Sequence, residues 1–214
     1  MNQNFGVYLV TDAGLSEGRS TVEIVEAAID GGVDVVQLRE KGASARERYE
    51  LGLELRESTR AAGVPLIVND RIDIAAAIDA DGVHLGDDDL PVPLARERLG
   101  EDAIVGRSVS TPAAAREAES AGADYLGVGA VYGTTSKETT PEQSNVGLER
   151  IRAVREAVDV PFVGIGGITP DNAAAVVRAG ADGVAVISAI TGSDDPEAAT
   201  RRIAEAVEGV GIDA

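Results

Sequence analysis

Short apolar runs alternate with amphipathic stretches along the whole chain, and a repeated signal marks the joins. At four places a helical pattern closes on Gly or another small residue, an Asp follows, and an apolar run begins: Gly32-Val33-Asp34-Val35-Val36, Ala80-Asp81-Gly82-Val83, Gly122-Ala123-Asp124-Tyr125-Leu126 and Gly180-Ala181-Asp182-Gly183-Val184. Glycine suits the left-handed turn that ends a helix, and runs this short and this rich in β-branched residues read as buried strands. Three further runs lie between them, Val64 to Val68, Ala103 to Gly106 and Val160 to Ile165, and Phe5 to Val10 stands at the front. Each strand is followed by an amphipathic stretch, roughly Ser20 to Asp30, Ala45 to Ala62, Arg71 to Ala77, Leu94 to Leu99, Pro112 to Ala121, Leu148 to Val158, Pro170 to Ala179 and Pro196 to Glu208. Eight βα units in strict alternation predict an α/β fold, a (β/α)8 TIM barrel forming a single catalytic domain over residues 1–214. A doubly wound open sheet would not need this even spacing.

Such barrels build active sites at the C-terminal ends of their strands. The strand exits are Thr11-Asp12, Gln37 to Gly42, Asn69-Asp70, Gly86 to Asp89, Arg107 to Thr111, Gly127 to Asn145, Gly164 to Thr169 and Ile187-Ser188, and they hold most of the chemically useful residues. Strand starts carry Pro, Asp and small residues with no evident chemistry. Side chains alternate along a strand, so Val35, Gln37 and Arg39 share one face while Val36, Leu38 and Glu40 share the other. Lys41 follows at the exit. A guanidinium fork beside an ammonium suits phosphate oxygens. Aligning the even strands on their shared Asp sets Gln37, His84, Gly127 and Ala185 at one inward level and Arg39, Gly86, Gly129 and Ile187 above it. Two polar walls facing two small-residue walls leave a hollow for a small organic ligand. His84, the only histidine, is expected as a packed, hydrogen-bonded inner residue rather than a proton-transfer group.

Composition sharpens this picture. Apolar residues make up 44% but aromatics only 3%, with 25 Gly, so the core is expected to be Val, Ile, Leu and Ala. The absence of cysteine rules out disulfides, thiolate metal sites and a cysteine nucleophile. Residues 1–4 lack the charged and apolar features of a leader, and no apolar run has the length of a membrane span, which suggests a cytoplasmic protein with no membrane partner. A formal charge of −18 argues against nucleic acid as a partner. Against seventeen arginines stand two lysines, Lys41 and Lys137, so neither reads as surface filler. The acidic excess resembles adaptation to a salt-rich cytoplasm.

Three further stretches carry candidate chemistry. Gly164-Ile165-Gly166-Gly167-Ile168-Thr169-Pro170-Asp171 is a glycine-rich turn opening a helix; with Ile187-Ser188 it fits a phosphate site, which barrels often keep after strands seven and eight. Asn69-Asp70 and Asp87-Asp88-Asp89 leave neighbouring strands, and paired carboxylates there suit Mg²⁺, although a solvated acidic surface with Asp70 as a helix cap explains them equally well. The long connection Gly129 to Asn145, which houses Lys137, reads as a lid.

Taken together, Q-L-R-E-K-G, N-D, G-V-H-L-G-x-x-D, G-x-S, G-A-V-Y-x-T-x-S-K, G-I-G-G-I and V-I-S-A-I, in this order, resemble the thiamine-phosphate synthase family over nearly the whole chain. The resemblance implies a Mg²⁺-dependent transferase of thiamine biosynthesis that joins 4-amino-2-methyl-5-hydroxymethylpyrimidine diphosphate to a (carboxy)thiazole phosphate. It further implies that Gln37, Leu38, Arg39, Glu40, Lys41, Asn69, Ser108 and Lys137 bind the pyrimidine diphosphate, with Arg39, Lys41, Ser108 and Lys137 catalytic. Asp70 and Asp89 would hold Mg²⁺, and Thr134, Thr135, Ser136, Gly167, Ile187 and Ser188 the thiazole phosphate. The partners are then small phosphorylated molecules, with homo-oligomerisation left open. The alternatives are a thiazole tautomerase of the same fold and a non-catalytic phosphate-binding barrel. Tautomerases carry a histidine after strand five, where this chain has Ser108-Val109-Ser110-Thr111.

The acidic excess yields one expectation independent of function. With excess carboxylates unscreened at low ionic strength the fold should loosen, so the melting temperature should rise between low and molar KCl; an unchanged value would count against salt adaptation.

Overall fold

In the computed structural model, residues 4–133 and 146–212 are described. Eight parallel strands close into a barrel in chain order: β1 Val7–Val10, β2 Val35–Leu38, β3 Leu66–Asn69, β4 Gly82–Leu85, β5 Ile104–Val109, β6 Tyr125–Gly129, β7 Phe162–Ile165 and β8 Gly183–Val186. The helices between them are α1 Thr21–Asp30, α2 Ala45–Ala62, α3 Ile72–Ala77, α4 Val92–Leu99, α5 Pro112–Ser120, α6 Gly147–Arg155, α7 Pro170–Arg178, α8 Ser188–Thr191 and α9 Pro196–Glu208. The expected TIM barrel is therefore the observed one. Three details differ. β2 extends through Gln37 and Leu38, because the Gln37 carbonyl accepts from Thr11 N–H at 2.9 Å and keeps the residue in the ladder. β5 runs on to Val109, which brings Ser108 into a strand. The short α8 follows β8 directly, where only a loop was expected.

Helix ends follow local chemistry. Ser20 and Ser44 form capping boxes with Glu23 and Glu47, each satisfying otherwise orphaned N–H groups at both ends of the exchange. Pro112, Pro170 and Pro196 open their helices at the first position, where a missing N–H costs nothing.

Period-two alternation divides the apolar residues into two cores. Leu9, Val36, Leu38, Val68, Leu85, Val128 and Val186 point outward and pack under the helices. Phe5, Tyr8, Val10, Val35, Ile67, Tyr125, Val163, Ala185 and Ile187 fill the barrel interior. The interior is not the aliphatic core expected from composition. Of six aromatic residues in the chain, three gather in this small space, Phe5 stacking on Tyr125 with ring centroids 4.8 Å apart. Gly106 makes the room, since a Cβ there would lie 2.2 Å from the Tyr125 ring.

The recurring Asp before each even strand now has a role. Its backbone N–H donates to a carbonyl near the start of the preceding odd strand, and its Oδ2 accepts from the N–H of the same residue. The pairs are Asp34 with Val7, Asp81 with Leu66, Asp124 with Val105 and Asp182 with Phe162, with all eight distances between 2.7 and 2.9 Å. Three of these carboxylates also meet an arginine from the helix preceding the odd strand: Arg56 at 2.6 Å, Arg96 at 2.6 Å and Arg155 at 3.2 Å. Asp34 instead has Asn4 Nδ2 at 2.7 Å and the like charge of Glu208 nearby. Burial above all, with Glu208 adding to it, raises the Asp34 carboxyl above the usual carboxylate range despite the Val7 and Asn4 hydrogen bonds. Among the described residues no helix is long and apolar enough to cross a membrane.

A raised folded-state pKa means the native protein holds a proton that the unfolded chain releases. That contribution is present below the unfolded value, about 4, and is lost as pH rises through the folded one. Denaturation followed from pH 3.5 to 7 should therefore show wild type losing stability relative to Asp34→Asn as pH rises; parallel curves would refute the linkage. Asp124→Ala leaves the Val105 N–H without its acceptor and removes the carboxylate from Arg96, and should cost about 1–3 kcal/mol by urea titration.

Candidate active site

A cavity opens within the barrel at the strand C-termini. Its apolar wall is Val10, Val163, Ile165, Ala185 and Ile187, and its polar wall is Gln37, Arg39, Asn69, His84 and Ser108, with Tyr8 and Tyr125 beneath. Of the residues that alternation sets inward, Gln37, Arg39, His84, Gly127, Ala185 and Ile187 line the cavity and Gly86 and Gly129 do not, and His84 is the packed, hydrogen-bonded interior residue expected of it.

The polar groups beneath the cavity form one continuous chain of hydrogen bonds drawn from five strands. Gln37 Nε2 donates to Tyr8 Oη at 2.7 Å, and the Tyr8 and Tyr125 hydroxyls meet at 2.7 Å. His84 Nδ1 lies 2.9 Å from Tyr125 Oη, and His84 Nε2 lies 2.9 Å from Ser108 Oγ. Burial raises the pKa of both phenols, so each retains its proton at neutral pH.

Arg39 sits above this chain, 8% exposed. Its Nη1 donates to Asp12 Oδ2 at 2.7 Å, its backbone N–H donates to the Thr11 hydroxyl at 3.1 Å, and its Nε is buried with no partner among the described residues. The ion pair aims the guanidinium of a residue that lines the cavity, where its charge suits an anion.

The other sequence-derived candidates divide into groups. Gln37, Arg39, Asn69, Ser108 and Ile187 line the cavity. Leu38 and Glu40 do not: the Leu38 side chain packs in the outer core, and the Glu40 carboxylate accepts from Ala13 N–H at 2.8 Å and the Thr21 hydroxyl at 3.3 Å, bracing the loop after β1. The reason is the alternation that turns Gln37 and Arg39 inward. Lys41 is half-exposed, its Nζ 3.6 Å from Asp70 Oδ2. Gly167 lies in the turn after β7 with φ of 63°, and Ser188 opens α8 after β8. Thr134, Thr135, Ser136 and Lys137, with most of the Gly129 to Asn145 connection, lie outside the described residues.

The three consecutive aspartates differ. Asp87 is exposed and pairs with Arg107 at 3.0 Å, and Asp88 is exposed; Asp89 is half-buried, its Oδ2 accepting from Gly86 N–H at 2.6 Å. Asp70 holds a left-handed backbone, φ 64°, a conformation uncommon outside glycine and concentrated at functional sites. Among the described residues no cluster of three or more His, Cys, Asp or Glu could hold a metal. Two carboxylates at adjacent strand ends still suit Mg²⁺, a hard ion often held by one or two carboxylates with substrate phosphate and water completing its shell.

Asp12, Tyr8 and Tyr125 were missed in reading the sequence. Period two in β1 places Tyr8 with Val10, and the Asp-anchored alignment sets Tyr125 two residues below Gly127, so the inward direction of both was available. What neither signal contains is which hydroxyls meet across the barrel.

The chain matches the model of the family described as thiamine monophosphate synthase over residues 7–190. It is 78% identical over 210 residues to the thiamine-phosphate synthase of Natronomonas pharaonis, covering 98% of both chains. To that of Haloquadratum walsbyi it is 61% identical, covering 100% of this chain and 96% of the other. Its fold superposes on the thiamine phosphate pyrophosphorylase of Pyrococcus furiosus with a TM-score of 0.88 at 42% identity, over 97% of this chain and 98% of that one. On the barrel, its cavity and these likenesses together, the chain belongs to the thiamine monophosphate synthase family.

Proposed function

We propose that this barrel couples 4-amino-2-methyl-5-hydroxymethylpyrimidine diphosphate to a thiazole phosphate, giving thiamine phosphate and pyrophosphate. The observation that carries the reading is Arg39. A buried guanidinium, aimed by Asp12, stands over a cavity with a polar hydrogen-bonding floor. That combination suits an anionic group at the mouth joined to a flat polar heterocycle below.

Bond breaking separates the pyrimidine methylene carbon from the diphosphate oxygen, which leaves with the electron pair. The resulting cation is delocalised into the aminopyrimidine ring, and the thiazole nitrogen attacks it to form the new C–N bond. No protein nucleophile is needed, in keeping with a cysteine-free chain. The protein's work is to take up charge developing on the leaving group and to align the two rings. Arg39 and Lys41 would face the diphosphate together with Lys137, and the apolar wall of Val163, Ile165 and Ile187 would exclude water from the cation. Asp70 and Asp89 would hold Mg²⁺, which when bound neutralises charge on the departing diphosphate. Gly167, Ile187 and Ser188, with Thr134, Thr135 and Ser136, would take the thiazole phosphate, and Asn69 and Ser108 would meet the pyrimidine diphosphate. A tautomerase is disfavoured by Ser108-Val109-Ser110-Thr111, a stretch without histidine, standing where such relatives carry one.

Supplying both phosphorylated substrates with Mg²⁺ at high salt should yield thiamine phosphate and pyrophosphate in equal amounts; release of neither would reject the assignment. Lys41→Ala should leave the fold intact, because its ammonium is half-exposed, yet lower turnover by roughly tenfold or more as one cation is removed from the leaving group. The aspartates provide a finer comparison. Asp89→Asn should raise the Mg²⁺ concentration needed for half-maximal pyrophosphate release, whereas Asp87→Asn and Asp88→Asn should stay near wild type and change stability by no more than about 0.5 kcal/mol. Equal behaviour of all three would remove Asp89 from the metal site.

A further inference from the structure

The hydrogen-bonded chain beneath the cavity has a direction that follows from counting protons. Gln37 Nε2 can only donate, so Tyr8 Oη accepts from it and must direct its own hydrogen elsewhere. Tyr8 is 1% exposed, and its other hydrogen-bonding neighbour is Tyr125 Oη, so Tyr8 donates there. Tyr125, receiving that proton, directs its own to His84 Nδ1. With Nδ1 as acceptor, the neutral imidazole carries its hydrogen on Nε2 and donates to Ser108 Oγ. The Ser108 hydroxyl hydrogen is then left to point into the cavity that Ser108 lines. At the other end, Gln37 has turned its amide nitrogen toward Tyr8, and its carbonyl Oε1 serves the cavity.

The opposite direction can also satisfy every group, but only if the Gln37 amide is turned over at the same time. The two ends are therefore coupled across about five side chains. A cavity served by this chain presents either an acceptor at Gln37 with a donor at Ser108, or the reverse; two donors or two acceptors would leave a buried hydroxyl unsatisfied, at a cost of roughly 1–3 kcal/mol.

We propose that Tyr8, Tyr125 and His84 are positioning residues, a one-way relay that holds Gln37 as acceptor and Ser108 as donor so that the cavity reads the amino and ring-nitrogen edge of an aminopyrimidine. This rests on the substrate reading above. In an aminopyrimidine the exocyclic amine donates and the adjacent ring nitrogen accepts, which complements the forward polarity. The deaminated oxo analogue has these roles exchanged, a carbonyl acceptor beside a ring N–H donor, and meets like against like at both contacts. The relay thus distinguishes two rings of nearly equal shape by proton direction, a discrimination that hydrogen-bonding sites perform far better than apolar pockets do.

Because His84 is the only histidine, its nitrogens can be observed without ambiguity in ¹⁵N-histidine-labelled whole protein. Long-range ¹H–¹⁵N correlation at pH 7.5, without substrate, should show a neutral ring protonated at Nε2 and bare at Nδ1. An Nδ1–H tautomer, a doubly protonated ring or an averaged mixture would overturn the relay's direction whatever the enzyme's activity proves to be. Steady-state kinetics then test its purpose. Tyr8→Phe removes one hydroxyl and frees the Gln37 amide; it should raise KM for the pyrimidine diphosphate roughly tenfold, as for one lost hydrogen bond, with KM for the thiazole phosphate unchanged, and should narrow the wild-type preference for the amino substrate over its oxo analogue. Unchanged constants, or equal damage to both substrates, would overturn the positioning role and leave the tyrosine as packing.

Discussion

Everything in this barrel depends on strand register, and register is fastened at the end away from the chemistry. Strand side chains alternate with a period of two, so slipping one strand by a single residue would turn Gln37 or His84 out toward the helices and bring Leu38 or Leu85 into the cavity. Four aspartates oppose such slips. Each clasps an odd strand to the following even one through a backbone and a side-chain hydrogen bond to the same residue, so the carboxylate fits only one alignment. Arginines from three helices neutralise these carboxylates and tie the helical layer to the same joints. The bottom of the barrel is thus built for stability and the top for function, a separation that the eightfold architecture allows because the two ends are on opposite sides of a packed interior.

The interior between them faces a physical difficulty. A cavity that recognises a polar ring needs polar side chains, yet those side chains descend into a space closed to solvent. Tyr8, Tyr125, His84, Gln37 and Ser108 resolve it by satisfying one another in series, with apolar ring faces packed against Phe5 and aliphatic neighbours. Glycines on β5 and β6 are part of the same solution. Gly106 leaves room for the Tyr125 ring, and a Cβ at Gly127 would come within 3.1 Å of His84.

Charge is arranged on two scales. Over the whole chain the excess is strongly negative, a field that on its own would repel phosphorylated substrates. Locally the cavity is served by Arg39, whose burial removes it from the screening that salt imposes on exposed pairs. Asp12 supplies the compensating charge through Nη1 and holds the guanidinium in place, while Nε has no partner among the described residues. Lys41 stands farther out, near Asp70, where the requirement is reach rather than rigidity.

The sequence by itself determined the architecture and the direction in which its polar residues face. Eight apolar runs alternating with eight amphipathic ones admit few closed arrangements, and period two decides which side of each strand is inward; both are local properties written in consecutive residues. Gln37, Arg39, His84 and Ser108 could be placed near the cavity on those grounds, and the recurring Asp was visible as a mark although its clasp was not. Only the tertiary structure decided who meets whom. That Asp12 holds Arg39, that Glu40 turns away to brace Ala13 and Thr21, and that Tyr8 and Tyr125 join Gln37 to Ser108 through His84 are facts about residues up to 117 positions apart. Their distances are set by barrel closure and strand stagger, which bring together side chains whose separation along the chain carries no trace of the meeting.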